Sequence, residues 1–151
     1  MGLDLILYKK PKNVNELVDD EFDQNEIAYG RKTWAIANFF RGRCKPIDDD
    51  FEYIVTRQNW NEFITALSQL EDTNFRQKVE VFINSYDGED EVDVDNYYAI
   101  KSWLDNALNN EENYILGLTW EVRAVLDWFD ANEEVQSAFD NGFDVILMTS
   151  Y

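Results

Sequence analysis

The sequence predicts an α+β fold, in which a small antiparallel sheet of the two terminal strands and a short middle strand is packed by about five helices. Three observations predict it. Short β-rich runs stand near both ends of the chain and at Tyr53–Thr56. Between them, apolar residues recur at helical spacing. No linker, internal repeat or low-complexity stretch divides the 151 residues, so 1–151 reads as one domain of ordinary size, long enough to bury a core.

The elements follow in chain order. Leu3–Tyr8 is apolar and β-rich and is closed by Lys9, Lys10 and Pro11, which marks a strand. Residues 13–25 are polar and acidic and read as a loop or a short helix. From Glu26 to about Phe40 the pattern reads as a single helix, with Ile27, Ala28, Trp34, Ala35, Ile36 and Phe39 on a broad apolar surface. Gly42 and Pro46 end it. Tyr53–Thr56 is the middle strand. Trp60, Phe63, Ile64 and Leu67 then keep helical spacing to Leu70, and Phe75, Val79, Phe82, Ile83 and Tyr86 repeat it until Asp87-Gly88.

Asp95 is placed to cap the next helix, whose apolar stripe is Ile100, Trp103, Leu104, Ala107 and Leu108. A further helix spans about Glu112 to Phe129, and Glu133–Phe139 adds a short one. Asn141-Gly142 turns the chain into the closing strand Phe143–Thr149. The simplest sheet pairs the terminal strands with each other and with the Tyr53 strand, leaving the helices to cover one face.

Charge is the outstanding property of the composition. Formal net charge is -18, from 31 acidic and 13 basic side chains, yet hydrophobic content is 45% and aromatic content 15%. That much apolar material is incompatible with a disordered acidic chain. Residues 1–45 carry about one net positive charge, whereas residues 46–151 carry the whole negative excess. Such a balance repels phosphates, so direct nucleic-acid binding is not expected, and the asymmetry points instead to a basic partner. Cys44 is the single cysteine, which rules out an intrachain disulfide and suits a reducing compartment. The opening lacks a signal-peptide pattern and no run is long enough to span a membrane. The expectation is a cytoplasmic protein with no membrane partner.

The motifs of chemistry are sparse. The chain has no histidine, which removes Ser-His-Asp and Cys-His nucleophile systems and most transition-metal sites. No carboxylate pair has the setting of an acid–base couple, so no enzyme is expected. Cys44 lies in Arg41-Gly-Arg-Cys-Lys45, where three cations would favour a thiolate. The alternative reading is a structural thiol near a helix end. The run Asp87–Asp95 fails as an EF-hand in either register, because the sixth and twelfth positions hold Val92 and Tyr98, or Tyr98 and Leu104. No glycine spacing makes a phosphate cradle, and neither a cofactor nor a dedicated metal is expected.

What is left is charge as a presented surface. Asp87, Glu89, Asp90, Glu91, Asp93 and Asp95 form the densest cluster, and Asp48, Asp49 and Asp50 a second. Further acids recur at Glu111, Glu112, Asp127, Asp130, Glu133, Glu134, Asp140 and Asp144. Carboxylates fixed on rigid helices repeat the charge of a phosphate backbone and would compete for a groove built to hold one. The two clusters are therefore the expected partner-binding residues.

Four segments carry a resemblance: Met1-Gly-Leu-Asp-Leu-Ile-Leu-Tyr8, Glu26–Phe40 with its Tyr-Gly-Arg-Lys, Tyr53-Ile-Val-Thr-Arg-Gln-Asn-Trp60, and the ending Met148-Thr-Ser-Tyr151. In this order they resemble a group of small, uncharacterised bacteriophage and prophage accessory proteins, although that group usually closes on Ser-Ser-Trp. The resemblance implies an accessory protein in the bacterial cytoplasm, of the kind that disables host defences such as CRISPR effectors or restriction enzymes. The alternative is a structural or regulatory phage interaction module whose acidity is incidental.

Overall fold

Strand β1 (Asp4–Pro11) alternates over its first half: Leu5 and Leu7 are buried, and Asp4 before them and Ile6 between them are not. A computed structural model of the chain describes residues 4–12, 25–31, 33–47, 51–71, 77, 102, 104–108 and 118–150. Strand β2 (Glu26–Arg31) follows, then helix α1 (Trp34–Arg41), the two-residue strand β3 (Lys45–Pro46) and strand β4 (Glu52–Val55). Helix α2 (Arg57–Glu71), helix α3 (Leu118–Asp130), helix α4 (Asn132–Asp140) and strand β5 (Phe143–Ser150) complete the labelled elements, and residues 104–108 are also helical.

The strands form one sheet in the order β2-β1-β5-β4-β3, and every neighbouring pair is antiparallel. The terminal strands are thus paired centrally, with β4 on the far side of β5, as the sequence predicts. The fold is α+β. Register carries the hydrophobic pattern across the sheet: Leu7 stands opposite Ala28 on one side and Leu147 on the other, and Leu147 stands opposite Tyr53. A one-residue slip would turn each of these side chains away from the helices.

The segment expected as one helix over 26–40 is instead a strand and a helix. Glu26–Arg31 buries only Ala28 and Gly30, the alternation of a strand, and pairs with β1. Gly30 fits the strand to its place. A Cβ there would lie 2.7 Å from Thr33 Cγ2 and 3.0 Å from Ala124 Cβ, so glycine lets β2 come directly against α3. The helix begins only at Trp34 and buries Ala35, Ile36, Ala37, Phe39 and Phe40. The short edge strand β3 was not expected either. Two residues ending in proline give no periodic signal.

Helix α2 starts three residues earlier than its apolar stripe suggests, because Thr56 caps it. Thr56 Oγ1 accepts from the Asn59 backbone N–H at 3.1 Å, and Asn59 Oδ1 accepts from the Thr56 N–H at 3.3 Å. This is a capping box with asparagine in the third helical position. The expected helix over 75–86 and most of that over 95–108 lie outside the described residues. Within 104–108, Leu104 and Leu108 are buried, as their spacing predicts.

The helices α1, α2 and α3 meet one another through an aromatic nucleus. The Phe40 ring lies 4.9 Å from Phe63, 6.2 Å from Trp128 and 6.3 Å from Trp60, and all four side chains are fully buried. Each buried indole keeps a polar partner: Trp60 Nε1 donates to Asn132 Oδ1 at 2.8 Å, and Trp128 Nε1 to the Tyr29 carbonyl at 3.1 Å. Among the described residues no helix is long and apolar enough to cross a membrane.

Candidate functional site

The carboxylates singled out from sequence, Asp87, Glu89, Asp90, Glu91, Asp93 and Asp95 together with Asp48, Asp49 and Asp50, lie outside the described residues. The second cluster falls in sequence between Ile47 and Phe51. Just around it the Ile47 N–H donates to the Glu52 carbonyl at 2.9 Å, which joins β3 to β4.

Of the further acids named from sequence, Asp127 and Asp130 stand on α3, Glu133, Glu134 and Asp140 on α4, and Asp144 on β5. Helix α3 buries Ala124, Val125 and Trp128, so Asp127 and Asp130 face outward. Helix α4 buries Val135 and Ala138, so Glu133, Glu134 and Asp140 do the same. Ala131, itself in an αR conformation, is the single residue between the helices, which keeps these acids on one continuous stretch of scaffold. Glu133 and Glu134 occupy the first turn of α4, where the helix dipole favours negative charge. Partial burial, then the nearby Asp130 carboxylate, raise the Asp127 carboxyl above the usual range, against a smaller lowering by Arg123.

Some of this charge is answered within the chain. The Arg57 guanidinium pairs with the Asp140 carboxylate, and also donates to Gln136 Oε1 at 3.1 Å and to the Gln136 carbonyl at 3.0 Å. Gln136 Nε2 in turn donates to Asn61 Oδ1 at 2.7 Å, which ties α4 to α2. Sequence reasoning missed this network, since its members are 75 to 83 positions apart and share no motif. Among the described residues no group of three or more His, Cys, Asp or Glu side chains is placed to hold a metal ion.

Cys44 settles on its structural reading. The thiol is 7% exposed, and burial pushes it up to about 12, with Arg43 opposing and Glu62 adding to the rise. Its Sγ donates to Asn59 Oδ1 at 3.6 Å. Arg43 is spent elsewhere: its guanidinium sits 3.8 Å over the Phe39 ring, donates to the Phe39 carbonyl at 3.0 Å and pairs with Glu62 at 3.6 Å. A sulfur held protonated is a poor nucleophile.

Beside it, a cleft of about 730 Å³ opens between α2 and residues 106–107. Gln58, Asn61, Glu62 and Thr65 of α2 line it, together with Phe39 and Arg43. Several of its polar groups are already engaged within the chain. Gln58 donates to Glu62 at 3.4 Å, Glu62 takes Arg43, and Asn61 takes Gln136.

Comparisons with protein-family models, with curated proteins and with solved structures found no match.

Proposed function

We propose that this chain is a non-enzymatic inhibitor that sets an acidic face into the basic nucleic-acid-binding groove of a host defence protein, a CRISPR effector or a restriction enzyme. The observation that carries the reading is the placement of Asp127, Asp130, Glu133, Glu134 and Asp140, all exposed, along two successive helices anchored to an aromatic nucleus. Side chains anchored in this way hold like charges close without the chain expanding to relieve them, and the Asp127–Asp130 interaction is the sign of that closeness. A groove that normally gives up counterions to a phosphate backbone would gain from such a surface by the same route. Asp87 to Asp95 and Asp48 to Asp50 are proposed to extend the face. The phage origin, and action in the bacterial cytoplasm, rest on the resemblance of the chain's ends and of its Tyr-Gly-Arg-Lys segment.

A second reading, an interaction module that binds through apolar surface, is supported by three large side chains left in solvent: Tyr29 at 46%, Phe51 at 51% and Ile54 at 37% exposed. Salt separates the two. The test is competition between the chain and DNA for purified CRISPR effectors and restriction enzymes over a series of ionic strengths. The acidic-face reading requires competition that weakens steeply as salt rises and is lost when the six acids of 87–95 and the α3–α4 acids become Asn and Gln. Competition that persists at high salt and survives those substitutions would overturn it in favour of the apolar module.

A further inference from the structure

We draw no further inference here: the strongest candidate, the 730 Å³ cleft between α2 and residues 106–107, is lined by apolar Phe39, Ala66 and Ala107 together with polar side chains several of which are already engaged within the chain, so nothing in it selects one class of ligand over another.

Discussion

At Cys44 the local sequence and the fold pull in opposite directions. Three neighbouring cations argue for a thiolate, but the chain turns Arg43 onto the Phe39 ring and encloses the sulfur. Sequence supplies the charges and cannot say where they point. The consequence is measurable. In the unfolded chain this thiol ionises near its ordinary value of 9.0, whereas in the fold it holds its proton to about 12. A folded pKa raised in this way gives stability that is complete below about pH 9 and is lost as pH climbs toward 12. Tyr8 acts in the same direction from about pH 10 upward, because burial and then the Glu52 carboxylate raise its phenol. We expect unfolding free energy from urea titrations to begin falling near pH 9. The slope assigned to Cys44 approaches about 1.4 kcal/mol per pH unit, and Cys44→Ala removes that early part while leaving the Tyr8 part. In native protein, alkylation of Cys44 near neutral pH, followed by mass spectrometry, should be far slower than in denaturant.

Gly30 makes a second residue-scale prediction. With Thr33 Cγ2 and Ala124 Cβ so near, Gly30→Ala forces β2 and α3 apart and should cost about 1–3 kcal/mol in the same denaturation assay. A neutral result would mean that the sheet and helix are less closely seated than these distances state.

Among the elements, those with a clear period were legible. Leu5 and Leu7 of β1, the Trp60, Phe63 and Leu67 stripe of α2, and the buried Leu104 and Leu108 follow the spacing of their apolar residues. The segment 26–31 was not, because Ile27 and Ala28 fit a helical stripe as readily as a strand when read together with Trp34, Ala35 and Ile36. Pairing with β1 decided the matter, and that is a long-range contact which local spacing does not encode. The α2–α4 seam is illegible for the same reason.

The seam also shows how burial sets the worth of a bond. Asn132→Ala would strand the indole N–H of Trp60, which is fully buried, and should cost about 1–3 kcal/mol. Arg57→Ala removes more contacts, yet its side chain is 45% and that of Asp140 67% exposed, so solvent screening should hold the loss of that ion pair below about 1 kcal/mol. Chemical denaturation of the two variants side by side tests the ranking, and the reverse order would refute it.

For the molecule as a whole, the sequence shows the amount of charge and the structure shows part of its arrangement. Net charge and its concentration after residue 45 are plain from composition. The grouping of Asp127, Asp130, Glu133 and Glu134 needs the one-residue join at Ala131, which no composition reveals. Because Asp127 and Asp130 repel one another, neutralising that pair should not harm the fold. Asp127→Asn with Asp130→Asn is expected to leave thermal stability unchanged or slightly raised, while weakening any competition with DNA. A marked loss of melting temperature would show that the two carboxylates serve the fold and not a partner.

The two ends of the sheet carry a consequence of their own. One outermost strand is only two residues long and finishes in Pro46, which has no amide hydrogen to offer. The other has its Tyr29 carbonyl already claimed by the Trp128 indole and lies under α3. Among the described residues, a foreign peptide seeking to lengthen the ladder meets a two-residue strand at one margin and, at the other, a strand with one carbonyl already claimed. Recognition by strand addition is thereby discouraged, as is runaway stacking of copies edge to edge. Where a visitor meets charged side chains, acids outnumber bases 31 to 13 along the chain.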